Sequence, residues 1–217
     1  MGPIILSLCR SGHLNVLQWL VEYLEYTERH ICDRHRYGLC LVEACKYGNM
    51  PTVEWLSTTF RFPFNDESEI IPLLAFNASI DGGHFKIVKW IAKYYNFNKS
   101  HIIHYENLSL MTACMRGHLE IAKWITQQFN LSKEDVGKDA CLIFQGACAN
   151  GHLDVAKWLA NYFAMTNDDV RFNNNVAFRW AGQYQHINVV KWLTETFNFT
   201  ETEIKNDLNI AFLAESE

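Results

Sequence analysis

The sequence is poor in residues that break helices. Four prolines and eleven glycines among 217 residues leave too few turn-formers for a β-sandwich. No apolar run reaches the roughly 18–20 residues needed to cross a bilayer, so no membrane association is expected. Met1–Leu8 lacks the length and the charged start of a secretory signal. Positive charge is scarce as well. With 19 Lys+Arg against 24 Asp+Glu, the net charge is −5, which argues against nucleic acid as the main partner. A nucleophile elbow, a P-loop, an HExxH helix and a dinucleotide glycine pattern are all absent, so no enzymatic activity is expected. The seven cysteines are an odd number and read as free thiols in a reducing, cytoplasmic compartment.

What is present is a repeat. Six of the seven tryptophans stand at 19, 55, 90, 124, 158 and 192, with gaps of 36, 35, 34, 34 and 34. Their surroundings repeat too. Arg116-Gly117-His118-Leu119-Glu120-Ile121-Ala122-Lys123-Trp124-Ile125 matches Asn150-Gly151-His152-Leu153-Asp154-Val155-Ala156-Lys157-Trp158-Leu159. Copies also run from Ser11 to Leu20 and from Gly82 to Ile91. Looser ones surround Trp55, with Pro51 in the first turn, and Trp192, where Gln185 replaces glycine.

Each unit holds two amphipathic segments. The first ends at the glycine, which supplies a left-handed closing residue. The second begins near the histidine and carries Leu119, Ile121, Ala122, Trp124, Ile125 and Phe129 at helical spacing. Each unit is therefore an αα-hairpin. The connectors carry Thr27, Ser132, Thr166 and Thr200. Asp135, Asp169 and Glu203 follow the last three by three residues, a pattern that resembles a capping box and predicts a helical turn. A single hairpin cannot bury its own apolar face, whereas stacked hairpins can, so the fold class is an all-α solenoid. Cys9, Cys45, Cys114 and Cys148, with Ile80 and Gly182, are expected to line the contact between adjacent first helices. The tryptophans are expected to fill the seam between second helices as its largest buried side chains.

The period, the hairpin and the string A-C-x-x-G-H-L-[ED]-[IV]-A-K-W-[LI] resemble the ankyrin repeat, over almost the whole chain and six units. The segment Val170–Ala181 is similar to divergent ankyrin arrays of amoebae and of the giant viruses that infect them. The family's T-P-L-H places read Leu74-Ala75-Phe76-Asn77, Leu108-Ser109-Leu110-Met111, Leu142-Ile143-Phe144-Gln145 and Val176-Ala177-Phe178-Arg179. Stability should therefore lean on apolar packing. Helical turns are expected where the family has its β-hairpin finger. The expected organisation is one repeat domain over residues 1–217, with six repeats and a C-terminal half-repeat. The chain opens inside a first helix and stops inside a seventh, so the half-repeats serve as caps or the chain is part of a longer array.

The resemblance implies a non-catalytic protein-interaction scaffold, monomeric, with no cofactor. In such arrays the concave side contacts partners through the two residues before each turn glycine. Here those are Lys46/Tyr47, Asp81/Gly82, Met115/Arg116, Ala149/Asn150 and Gln183/Tyr184. Lys46, Tyr47, Met115, Arg116, Asn150, Gln183 and Tyr184 are the candidate contacts, because they do not repeat in character. Two other classes compete. His30, Cys32, His35, Cys40 and Cys45 form a dense cluster, but Cys32-x-x-His35 lacks the second tight pair of a zinc site. Lys89, Lys123, Lys157 and Lys191 form a basic row that a polyanion could use, diluted by Glu120 and Asp154. His13, His84, His118, His152 and His186 lie one repeat apart, roughly 8–10 Å between packed helices, too far to share a metal. They are expected to cap and pack the interhelical turn.

Overall fold

A computed structural model describes residues 2–27, 31, 39–60, 62, 71–103 and 107–213. Among these there are sixteen helices and no strand. The chain divides into two compact units, residues 1–101 and 102–217.

Unit 1 contains α1 (Gly2–Ser11), α2 (Leu14–Tyr23), α3 (Leu39–Lys46), α4 (Met50–Thr59), α5 (Ile71–Asp81) and α6 (Phe85–Tyr94). The helix α7 (Lys99–Ile103) falls at the division between units. Unit 2 contains α8 (Leu108–Met115), α9 (Leu119–Gln128), α10 (Lys133–Val136), α11 (Asp139–Ala149) and α12 (Leu153–Tyr162). It continues through α13 (Asn167–Val170), α14 (Phe172–Gln183), α15 (Ile187–Phe197) and α16 (Glu201–Leu213). Within unit 1 the first helices α1, α3 and α5 pack in sequence, and within unit 2 so do α8, α11, α14 and α16. The second helices α2, α4, α6, α9, α12 and α15 each pack on their own first helix.

The glycine turn is the Schellman closure that the pattern implies. Gly117 sits at φ 74, and the next amide, His118, donates to Ala113 at 2.9 Å. The same bond joins His84 to Ser79, His152 to Ala147 and His186 to Ala181. At Gln185 the closure survives without glycine, at φ 60.

Connectors in unit 2 are helical turns, and their capping boxes are complete. The Ser132 hydroxyl accepts from the Asp135 amide while Asp135 accepts from the Ser132 amide at 2.8 Å. Thr166 with Asp169 and Thr200 with Glu203 repeat the arrangement. The shorter Asp side chain thus closes the box as well as Glu does. Each later acid also meets a base from the preceding connector. Lys133 reaches Asp169 at 2.7 Å and Arg171 reaches Glu203 at 3.0 Å. Hydrogen bonds from Arg171 and from the Thr200 amide and hydroxyl hold the Glu203 carboxyl at about 2.

The small-residue line is where the sequence places it. Cys9, Cys45, Cys114, Cys148, Ile80 and Gly182 are all buried. Burial pushes the thiols of Cys45, Cys114 and Cys148 far above their ordinary range.

The tryptophan row corrects the expectation of a buried seam. Trp19 is 58% exposed, and Trp55, Trp90, Trp124, Trp158 and Trp192 are only half-buried. The neighbours Leu56, Ile91, Ile125, Leu159 and Leu193 take the core instead. Consecutive helical residues point about 100° apart. Ile121, Ala122 and Ile125 centre the apolar stripe, which leaves Trp124 on its flank. There the indoles pack along their own helices. Trp19, Trp90 and Trp158 lie against Tyr23, Tyr94 and Tyr162 four residues on, with centroids 5.1, 4.6 and 5.3 Å apart. Trp55, Trp124 and Trp192 meet Phe60, Phe129 and Phe197 edge to face. Tyr94 and Tyr162 then donate to the carbonyls of Ser57 and Leu131 in the preceding repeats, at 2.8 and 3.0 Å.

Candidate partner-binding site

The histidines serve a different purpose from capping. His84, His152 and His186 stand at helix N-caps, yet their side chains make no cap hydrogen bond. His84 Nε2–H donates to the Lys46 carbonyl and His152 Nε2–H to the Met115 carbonyl, each at 3.0 Å. Both acceptors end the first helix of the preceding repeat. The imidazole lies over that repeat's turn glycine. A Cβ on Gly117 would stand 2.5 Å from His152 Nδ1, and one on Gly151 would stand 2.5 Å from His186 Nδ1. In the looser second copy Asn49 stands in for histidine. Its amide donates to the Cys9 and Arg10 carbonyls, both at 2.7 Å. The Gly-His pair is thus a lock between successive repeats, with glycine needed for both its φ and its bare face.

The lock places the ends of the first helices side by side. In unit 1 these carry Tyr47, 52% exposed, and Lys46, also exposed and ion-paired with Asp81 at 3.2 Å. Arg10 pairs with Glu43 at 2.7 Å on the same helix ends. In unit 2, Met115, Arg116, Asn150 and Tyr184 are exposed and Gln183 is half-buried. Ala149, expected to face outward, is only 8% exposed, whereas Asn150 is exposed.

An open cleft of about 500 Å³ unites Met115, Asn150 and Tyr184 in unit 2. Gly146 and Ala149 also line it, and Trp180 and His186 complete it. Arg116 and Gln183 do not line this cleft, and Lys46 and Tyr47 belong to the other unit. Trp180 on α14 and Tyr184, the C-cap of that helix, are four residues apart and so share a face. They are 43% and 57% exposed, and Met115 is 42% exposed. The Asn150 side-chain amide donates to the Gly146 carbonyl at 2.8 Å.

Trp180, Gly146, Ala149 and His186 are absent from the sequence-based site. Trp180 carried a signal, being the one tryptophan off the 34-residue column. Its counterparts one and two repeats earlier are Gly146 and Thr112, so stacking does not call for a large residue there.

Among the described residues no group of three or more His, Cys, Asp and Glu side chains converges as metal ligands would. His30, Cys32 and His35 lie outside the described residues, and Cys40 and Cys45 are buried. In the lysine row Lys89, Lys157 and Lys191 are exposed. Lys123 pairs with Glu120 at 3.0 Å, and the Lys89 ammonium stands 4.5 Å from the Phe85 ring centroid. No helix among the described residues is long and apolar enough to cross a membrane.

Comparison with curated proteins finds no match. Residues 110–205 match the family model for ankyrin repeats (3 copies), a span that holds the cleft, the Gly117–His152 and Gly151–His186 locks and the helical connectors of unit 2. Over residues 110–205 the chain thus carries ankyrin repeats.

Proposed function

We propose that the protein is a non-catalytic scaffold. It binds a protein partner through the ends of its first helices, the places that face the concave side in ankyrin arrays. Lys46 and Tyr47 contribute in unit 1, and Met115, Arg116, Asn150, Gln183 and Tyr184 in unit 2. One observation carries this reading: Met115, Trp180 and Tyr184 are large, exposed and gathered round one cleft, at positions that stacking leaves unconstrained. Tyr and Trp are the residue types that concentrate interface energy, about 2 kcal/mol or more at a hot spot. The locks and capping boxes supply the rigid frame such a surface needs.

The test compares capture of partners from the native cell by three proteins. These are the wild type, Met115→Ala/Trp180→Ala/Tyr184→Ala, and Lys123→Gln/Lys157→Gln/Lys191→Gln, with folding checked first by circular dichroism. Specific partners should disappear with the first triple variant and persist with the second. The opposite result moves the binding surface to the lysine row.

A further inference from the structure

We infer that a groove between the second helices α12 and α15 receives the tyrosine side chain of a partner polypeptide, in the place that Tyr162 fills one repeat earlier. The groove shares no lining residue with the cleft at the first-helix ends.

The chain supplies the template. The Tyr162 ring lies against Trp158, with centroids 5.3 Å apart, and meets Phe163 edge to face at 5.1 Å. Its hydroxyl donates to the Leu131 carbonyl of the preceding repeat at 3.0 Å. In unit 1 Tyr94 likewise stacks on Trp90 and donates to the Ser57 carbonyl. The repeat is 34 residues long here, so the surroundings of Tyr162 recur as Trp192, Phe197 and Met165. The tyrosine itself recurs as Thr196. All four of these residues line one open groove of about 330 Å³. Thr196 supplies neither the ring nor the reach to the Met165 carbonyl. The groove is thus the place of the phenol with the phenol left out.

Its walls are held from behind. Phe144 stands 6.2 Å from Trp192 and 6.5 Å from Phe197, and Trp192 meets Phe197 edge to face at 5.7 Å. Phe144 and Phe197 are buried, so Trp192 rests on a packed surface and the groove takes a ring without rearranging. The indole and the phenyl ring accept a third aromatic ring by stacking or edge contact. The Met165 carbonyl calls for a donor at the far end, which tyrosine has and phenylalanine lacks. At about 330 Å³ the groove sits at the low end of the ~300–1,000 Å³ range for bound groups, a space for one ring and its methylene. Exposed Asn161 and Thr196 on its rim offer hydrogen bonds to the backbone on either side of a tyrosine, which a free phenol would not use.

Acetyl-Gly-Tyr-Gly-amide, acetyl-Gly-Phe-Gly-amide and 4-methylphenol are each titrated into the full chain. NMR follows the Trp192 indole N–H and the Met165 methyl, assigned by their loss in Trp192→Phe and Met165→Leu. The Tyr peptide should shift both signals and bind about five-fold more tightly than the Phe peptide, the share of one neutral hydrogen bond. It should also bind more tightly than 4-methylphenol. Equal binding of the Phe peptide refutes the carbonyl as the selecting group and tyrosine as the occupant. Equal or tighter binding of 4-methylphenol refutes a polypeptide as the source. Thr196→Tyr puts the ring back from within. It should raise the urea midpoint and abolish binding of the Tyr peptide, and Thr196→Phe should raise the midpoint less. A Thr196→Tyr protein less stable than wild type, or one that binds the Tyr peptide with unchanged affinity, refutes the groove as the place of a phenol. No shift with any of the three probes overturns the proposal outright.

Discussion

Gly117→Ala tests whether the histidine lock couples neighbouring repeats. Gly117 holds φ 74, where an L residue costs about 1–2 kcal/mol. The alanine restricts the unfolded chain, which offsets about 0.5 kcal/mol of that. Its Cβ would also stand 2.5 Å from His152 Nδ1, so the ring must leave. The 3.0 Å bond from His152 Nε2–H to the Met115 carbonyl is then lost, worth about 1 kcal/mol. The expected destabilisation is about 2 kcal/mol. His152→Ala alone should cost about 1 kcal/mol, since it removes the same bond but leaves the turn relaxed. In the His152→Ala background no ring remains to displace. There Gly117→Ala should cost only its backbone share, about 1 kcal/mol. The double-mutant cycle, read from urea melts followed by circular dichroism, should therefore show a coupling of about 1 kcal/mol. Additivity within about 0.3 kcal/mol would mean that glycine is there for its φ alone.

Gln185 occupies the same turn at φ 60, where glycine stands in the other copies with this closure. Gln185→Gly should therefore raise stability by about 1 kcal/mol in the same urea assay. Trp124→Ala should cost about 2–3 kcal/mol: half-burial of an indole removes about 100 Å² from water at ~25 cal/mol/Å². A loss of about 4 kcal/mol or more would restore the buried seam. Glu203, held at about 2 in the fold against an ordinary 4.5, adds stability that is present above about pH 5 and lost as pH falls towards 2. The stability difference between wild type and Glu203→Gln should shrink across that window, and a constant difference would remove the Arg171 bond as its source. Cys45, Cys114 and Cys148 should resist Ellman's reagent in the native protein and react once it is unfolded in guanidinium.

The period, the paired helices, the glycine closure, the helical connectors and the line of small residues between first helices were all legible in the sequence. Each is set by neighbours within one unit or by the demand that every unit present the same shape. The same regularity misplaced the tryptophans. Leu119, Ile121, Ala122, Trp124, Ile125 and Phe129 are all apolar, and composition does not say which of them centres the stripe. The packing of each second helix on its first helix decided it, giving the core to Ile125 and the flank to Trp124. Histidine at a helix start reads as a cap; only the placement of the previous repeat's glycine and carbonyl under the ring shows that it bridges repeats. The cleft was equally out of reach, because Met115, Gly146 and Trp180 are separated by about a repeat each in sequence. Only the side-by-side packing of α8, α11 and α14 turns the smallest of them into a floor and the others into walls.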